Sequence, residues 1–549
     1  MFVPTSEQLY AAAGLSGFVS WVALNKRPVD GDTGVAFYTL AFGVLYAVFR
    51  YTGPFAAHAL RMSFAVAGIY AFSTLFFTVL YRLSPWHPLA KYPGPRLWHV
   101  SSLVLSYYSF RGRRHLYLDE LHAKYGPYLR IGPDTLSVNS LSAQHIYSAQ
   151  AHMPKAESYR APGHNKPVAM FFKQPFEKLH SDRRKIWSTM FTKEGLHPLF
   201  GVLEKRTNEL MQCMERRAAQ SPDGSVDLTE CFYHWSYDFM GDMVFGGANQ
   251  LELMKNGDSK NLVLGGKLAT RMVDSIGQTP WLLDVVWHLP SGGAMHRMIN
   301  LAASMVQKRL ATKELPAYRD LISYLVEKVS VSDMEWDAII AIIGGSDNTS
   351  ITMALAVYFL TTEPHYWQAL RAEVEKAFPD RSEYMHPDEL AKLPILEGVV
   401  QEALRLGSPY FLPRIVPRGG VRLDDRYIPE GTTVALAAYS QQMDPANFFP
   451  DPLNFRPERW LPDGMGPQTK ANKNAINSFS WGPHACIAKA FAYQEMRYVL
   501  ARLVLCMDIK PVDGFDAAGF RNGITNMRTT ILEENLMVNV KRRPGAKIE

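Results

Sequence analysis

The stretch Phe479-Ser480-Trp481-Gly482-Pro483-His484-Ala485-Cys486-Ile487-Ala488 sets how the whole chain is understood. Gly482 and Pro483 force a tight loop, because glycine admits left-handed backbone and proline fixes φ. The loop opens a helix that continues through Ala490, Tyr493 and Met496. Cys486 therefore sits at a helix start, where unpaired amide N–H groups can stabilise a thiolate. The other cysteines, Cys213, Cys231 and Cys506, lie far apart and form no CxxC pair. That spacing argues against a disulfide framework or a cysteine-rich zinc site, and for a reducing compartment. A lone cysteine is most often a small buried hydrophobe, which suffices for those three. Cys486 is set apart by its loop.

Further upstream, Glu402-Ala403-Leu404-Arg405 places a carboxylate and a guanidinium on one helix face. An exposed pair at that spacing stabilises a helix by only about 0.2–0.5 kcal/mol, so its weight comes from its neighbours in the chain. Phe455-Arg456-Pro457-Glu458-Arg459-Trp460 stands between it and the cysteine loop. Earlier still, Gly344-Gly345-Ser346-Asp347-Asn348-Thr349 lies inside a long apolar helix expected over Asp333–Thr362. Each glycine costs a helix interior roughly 0.8–1 kcal/mol relative to alanine. Either close packing or a groove for small molecules must compensate. His180-Ser181-Asp182-Arg183-Arg184 is a basic run on a helix, and Leu412-Pro413-Arg414 comes just after the Glu402–Arg405 helix.

The 549 residues are 47% hydrophobic with a net charge of 58 − 52 = +6. That composition supports a sizeable core, and so mild a charge gives no footing for nucleic acid. From about residue 112 to 410 helical patterns dominate, interrupted by a strand-like stretch at Tyr128–Val138. Helices are expected at Tyr366–Phe378 and Ala391–Leu406, and short strands from Val421, with Pro429-Glu430-Gly431 as a turn. No repeat or Gly/Ser linker divides this region. It reads as one mainly α domain with minor β structure, residues 83–549.

Residues 1–82 differ. Ser63–Tyr81 is 19 residues long, has no charge and is flanked by Arg61 and Arg82. A helix of that length spans a hydrocarbon core of about 30 Å. Leu9–Leu24 and Val35–Phe49 are weaker apolar runs, so the anchor holds one to three spans. With three, Lys26 and Arg27 fall on the same side as Arg82, Lys91 and Arg96, which the positive-inside rule makes cytosolic. Tyr92-Pro93-Gly94-Pro95 is a stiff turn after the anchor.

The ordered series from Glu402 to Cys486 resembles the cytochrome P450 family. The cysteine loop matches FxxGxRxCxG at Phe479, Gly482 and Cys486, with His484 in the arginine position and Ala488 in the second glycine position. Glu402-Ala403-Leu404-Arg405 and Phe455–Trp460 resemble its ExxR and PERF segments. The resemblance runs from about Tyr81, where the anchor-to-domain hinge is similar to that of fungal members, to about residue 540. It implies the family's mainly α fold behind one or more membrane helices, and a membrane-anchored, class II haem-thiolate monooxygenase. Cys486 would ligate the iron of haem b. Phe479, Gly482, His484, His180, Arg184 and Arg414 would cradle it, the last four as propionate partners. Glu402, Arg405 and Arg459 would form a structural charge network.

Gly344–Thr349 falls on the family's AGxDTT, so the resemblance assigns proton delivery to Asp347, Asn348 and Thr349. Asn348 stands where the family has the alcohol that protonates oxygen, and an amide passes a proton on less readily than a hydroxyl. That departure keeps a second reading open: an isomerase, dehydratase or oxidative coupling enzyme on the same fold. The resemblance further implies a lipophilic substrate such as a terpenoid, an alkaloid or a xenobiotic. Electrons would come from NADPH through a separate flavoprotein reductase, with cytochrome b5 as a candidate second donor. The location would be the endoplasmic reticulum membrane, with the catalytic domain cytosolic. Phe171, Phe172, Ile343, Phe411 and Leu412 are candidate pocket residues, within or near the variable loops 153–172, 246–295 and 410–415. A cysteine hydrolase using Cys486 and His484 is the rival from another class, but no orienting carboxylate is apparent. A non-enzymatic membrane scaffold leaves the cysteine loop and the paired glycines without explanation.

Overall fold

A computed structural model describes residues 4–548 apart from 26, 53, 162, 164–166, 249–250, 313–317, 382–383 and 527. Lys26, invoked for topology, lies outside the described residues, as do parts of the loops 153–172 and 246–295. The chain begins with three helices, Ser6–Leu24, Gly31–Tyr51 and Ala59–Leu83. Thr5 starts the first with a capping box: its side chain accepts from the Gln8 N–H, and the Gln8 side chain accepts from the Thr5 N–H. The first helix approaches the third closely because a Cβ at Gly17 would stand 2.6 Å from the Tyr70 carbonyl oxygen. Hydroxyls exploit that approach: Ser73 donates to the Gly14 carbonyl at 2.7 Å and Thr74 to that of Gly17 at 3.2 Å. Small residues and interhelical hydroxyl bonds hold helices together where lipid removes the hydrophobic drive. Phe37, Leu40, Phe64, Phe72 and Leu75 point outward and are all largely exposed.

The segments Gly31–Tyr51 and Ala56–Leu83 are long and apolar enough to cross a membrane. Val331–Thr362 is too, but 72% of its apolar stretch is buried inside the fold, which makes it a core helix. Ser330 caps it by accepting from the Asp333 N–H, and it ends at Glu363 because Pro364 begins the next helix, Pro364–Ala377. It packs on Leu228–Phe245, Gly293–Ala311, Pro394–Gly407 and Lys489–Cys506. The helix expected over Ala391–Leu406 starts instead at Pro394, after a short turn of helix at Pro387–Leu390. Proline lacks an N–H and has its φ preset, so it fits the first helical position.

The stretch Tyr128–Val138 is two strands, Tyr128–Arg130 and Thr135–Val138, paired antiparallel with Tyr128 opposite Val138. Thr433–Leu436 runs parallel to the second strand, and Arg414–Ile415 lies antiparallel to Thr433–Leu436 with Arg414 opposite Val434. This small sheet brings Arg414, just beyond the Glu402 helix, to a fixed place in the interior.

The N-terminal helix bundle and the rest of the chain meet at a polar contact. The Gly31 N–H donates to Asp284 Oδ2 at 2.9 Å, and Arg160 pairs both with Asp284 and, at 2.7 Å, with Asp30. Gly31 is packed so tightly on Trp281 that a Cβ would fall 1.8 Å from its carbonyl oxygen.

Candidate functional site

A cavity of 440 Å³ lies between the central helix Val331–Thr362 and the cysteine loop. Its wall includes Gly344, Gly345, Asn348 and Thr349 from the helix, and Phe479 and Cys486 from the loop. The two glycines serve different ends. At Gly345 a Cβ would strike Met240 Sδ at 2.5 Å, which is close packing; at Gly344 it would meet nothing within 4 Å, which leaves a flat groove.

The cysteine loop is built on its own backbone. The Cys486 N–H donates to the Phe479 carbonyl at 2.8 Å, and the Ala485 N–H to that of Gly482 at 3.0 Å. Gly482 has φ +66°, and a Cβ there would stand 2.0 Å from the Tyr147 carbonyl oxygen. Both constraints demand glycine. Cys486 is the one cysteine of the four with accessible surface, and it lies on the cavity wall. Burial pushes its pKa up, against the Ala488 N–H and the Arg184 charge, which favour the thiolate. A metal cation on the cavity side would complete that bias.

One rim of the cavity is cationic. Arg184 donates to the Ala485 carbonyl at 2.7 Å, and buried Lys155 donates to the carbonyls of Met170 and Phe171 at 2.8 and 2.9 Å. Arg414 is buried, and its Nε has no hydrogen-bond partner among the described residues. His180 and His484 complete the rim, His180 Nε2 lying 3.3 Å from His484 Nδ1, and His484 Nε2 lying 3.4 Å from Glu177 Oε2. Burial, reinforced by Lys155, Arg184 and Arg414, pushes the pKa of His180 down to about 2; burial lowers that of His484 as well. Both shifts favour the neutral imidazole. Burial, with Arg414 beside it, also pulls Lys155 well down, so the firm charges on the cavity wall are guanidinium groups, those of Arg184, Arg414 and Arg528, with Glu177 as the nearby carboxylate. A buried charge left unpaired costs several kcal/mol. A ligand bringing two carboxylates to this rim and a metal to the thiol relieves both imbalances, and haem is such a ligand. The residues present fit it.

The structure thus brings Cys486, Phe479, His484, His180, Arg184 and Arg414 to one cavity, with Gly482 shaping the loop. Glu402, Arg405 and Arg459 come together elsewhere, away from the cavity wall. Arg405 forks onto Glu402 at 2.7 and 2.9 Å, Arg459 Nε reaches Glu402 Oε1 at 3.0 Å, and Trp460 Nε1 reaches Oε2 at 2.9 Å.

Of the three residues expected to deliver protons, Asn348 and Thr349 line the cavity, whereas Asp347 is outside its wall. Successive helix residues are about 100° apart, so Asp347 faces the helices Leu228–Phe245 and Leu262–Ser275 instead. There it accepts from Tyr237 Oη at 3.4 Å, near Lys267. Burial raises its pKa to about 7, against the pull of Lys267. The folded protein then holds a proton that the unfolded chain releases at the ordinary value of 3.8. Stability is greatest below the unfolded value and falls as pH rises through the folded one. Asp347→Asn is expected to gain on the wild type over that window, by at most about 1.4 kcal/mol per pH unit. Denaturant unfolding at pH 5 and pH 8 checks this; an equal difference at both values would show that Asp347 does not titrate there.

Phe171, Phe172, Ile343 and Leu412 line the cavity, but Phe411 does not. Tyr410 and Leu412 are on the cavity wall, and Phe411 between them stacks under Arg114 at 4.4 Å. Lys155 and Tyr410, within the loops 153–172 and 410–415 but not singled out there, are cavity residues, and so is Glu495, which the sequence reading missed. Glu495 had a signal, being an acid on the buried face of Lys489–Cys506. Burial raises its pKa to about 8, and it accepts from Thr349 Oγ1 at 3.4 Å.

Comparison with known proteins agrees with this arrangement. The model of the family described as Cytochrome P450 matches residues 92–517. The chain is 30% identical to cytochrome P450 67 of Uromyces fabae over 480 residues, covering 83% of this chain and 86% of that protein. It is 30% identical to tryprostatin B 6-hydroxylase of Neosartorya fischeri over 455 residues, 80% of each. With cytochrome P450 monooxygenase notG' of Aspergillus versicolor the identity is 31% over 480 residues, 85% of this chain and 83% of that one. A thiol at the mouth of a helix, a glycine groove opposite it and a rim carrying guanidinium groups accord with these matches: the chain belongs to the cytochrome P450 family.

Proposed function

We propose that this protein is a membrane-anchored haem-thiolate monooxygenase of fungal secondary metabolism that oxidises a lipophilic small molecule with dioxygen and electrons from NADPH. The observation that carries the reading is the Cys486 thiol and the Gly344 groove on one cavity whose rim is cationic. When bound, haem supplies the oxidising chemistry, its thiolate ligand favouring cleavage of the O–O bond. Cys486 holds the metal, while His180, His484, Arg184 and Arg414 take the two propionates. Phe171, Phe172, Ile343 and Leu412 give the substrate apolar contact and exclude water. Such a wall selects by shape and apolar area. The relatives named for tryprostatin B hydroxylation support an alkaloid-sized substrate.

Electrons come through a separate flavoprotein reductase, for which the basic excess of +6 suits an acidic partner. The anchor is assigned to residues 1–82 and the catalytic domain to 83–549, with the anchor in the endoplasmic reticulum and the domain in the cytosol. The test is expression with a reductase in a host fed candidate lipophiles. The expected result is an oxygenated product that requires NADPH and takes its oxygen from labelled dioxygen. Product formed without electrons would instead support the isomerase or dehydratase reading, which Asn348 keeps alive.

A further inference from the structure

Away from the cationic rim, two polar groups of the cavity wall meet beside the glycine groove. Tyr410 Oη donates to Asn348 Oδ1 at 2.7 Å, and Asn348 Nδ2 donates to the Gly344 carbonyl at 3.1 Å. Together these bonds fix the amide, because a flipped Asn348 would set two carbonyl oxygens against each other at Gly344. The backbone that carries the phenol is held as well. The Tyr410 N–H donates to the Ser408 carbonyl at 3.0 Å, and its own carbonyl accepts from Asn477 Nδ2 at 3.0 Å. Asn477 is in turn held through its N–H by Gln442 Oε1 at 2.9 Å. Tyr410 is buried and lines the cavity beside Ser408.

We propose that Tyr410 supplies the working hydroxyl of this site and that Asn348 is its positioning partner, the pair replacing the single alcohol expected at position 348. This rests on the monooxygenase reading above. An amide donates and accepts but does not relay a proton, whereas a hydroxyl gives one up and takes another on the same oxygen. Burial raises the Tyr410 pKa to about 12, which keeps the phenol protonated at neutral pH. The overall reaction consumes dioxygen, two electrons and two protons, leaving one oxygen in a substrate C–OH and the other in water. Tyr410 Oη is the atom that yields a proton to the oxygen leaving as water, and it is re-protonated from solvent. Asn348 Oδ1 holds that O–H against the glycine groove between turnovers.

The isosteric variant Y410F removes only the hydroxyl, and it is compared with the wild type in the full-length, membrane-bound, haem-loaded protein. Two readouts need no knowledge of the substrate: the C–O stretching band of the reduced carbon monoxide adduct, and hydrogen peroxide released per NADPH with reductase present. Y410F is expected to keep the thiolate Soret band, shift the C–O band, and raise peroxide per NADPH by roughly 10-fold. That is below the roughly 10²-fold rate loss typical of a missing general acid, since water substitutes in part. N348A, which frees the phenol, is expected to shift the C–O band and raise peroxide as well. N348T in the Y410F background is expected to bring peroxide release back toward the wild-type value. An unchanged band and peroxide ratio in Y410F overturns the proposal; if Y410F fails to bind haem, the same result in N348A does so. A wild type without the thiolate Soret band overturns the parent reading and this one with it, whereas a normal wild type with an indifferent Y410F overturns this one alone.

Discussion

Replacing Cys486 by serine is expected to abolish the thiolate signature of the reduced carbon monoxide adduct and to lower turnover by at least about 10³-fold. The argument is one of ionisation. A metal ligand must be deprotonated, and the fold already raises the thiol pKa by burial, leaving the Ala488 N–H, the Arg184 charge and the metal to bring it down. A serine hydroxyl starts far higher and stays protonated under the same influences. The loop itself should survive. Its shape depends on the Phe479 carbonyl, the Gly482 backbone and the Tyr147 contact, none of which uses the Cys486 side chain. Circular dichroism with reduced carbon monoxide spectra of the purified variant separates the two effects. A serine variant with the wild-type spectrum would remove Cys486 from the site.

Glu402→Ala is expected to cost about 3–5 kcal/mol, roughly ten times the value of an exposed pair at the same spacing. Glu402, Arg405 and Arg459 are fully buried, and the carboxylate accepts from both guanidinium groups, from Trp460 Nε1 and from the Arg456 N–H. Removing it leaves two buried cations facing each other. Arg405 keeps the carbonyls of Gln442 and Pro452, at 2.7 and 2.6 Å, which soften but do not neutralise the loss. With total stabilities of about 5–15 kcal/mol, such a loss should show as poor haem retention in cells. Urea unfolding of Glu402→Ala against Glu402→Gln measures it, with glutamine expected to recover part of the difference. A loss under about 1 kcal/mol would mean the pair behaves as a surface pair.

The sequence carried the series from Glu402 to Cys486 because those motifs are local: a loop that needs glycine at 482, a proline that starts a helix, an i, i+3 pair. The longest N-terminal apolar helix was legible for the same reason, since the absence of charge over 19 residues is visible without any partner. What the sequence left hidden depends on direction and distance. Asp347 and Asn348 are neighbours, yet a turn of about 100° sends one to Tyr237 and the other to the cavity. Phe411 and Tyr410 are neighbours too, one against Arg114 and the other on the cavity wall. The Tyr410–Asn348 bond joins residues 62 apart in the chain, and nothing in either local pattern announces it. Gly344 and Gly345 looked equivalent as a pair, and only the position of Met240 distinguishes the one that is packed from the one that is open.

Arg160, wedged between Asp30 and Asp284, changes how a water-soluble form of this enzyme should be engineered. A cut at the hinge after Leu83 treats the first helices as a disposable leash, but they act as a fitted part with a counterface on the body. Excision uncovers the Trp281 carbonyl, takes the Gly31 amide from Asp284 and strips Arg160 of one of its two carboxylates. Arg160 adjoins Tyr159, which lines the cavity, so the scar lies next door to the substrate wall. Surgery on this chain is better begun by repairing that socket, with a hydrogen-bond donor supplied for Asp284, than by choosing where to cut.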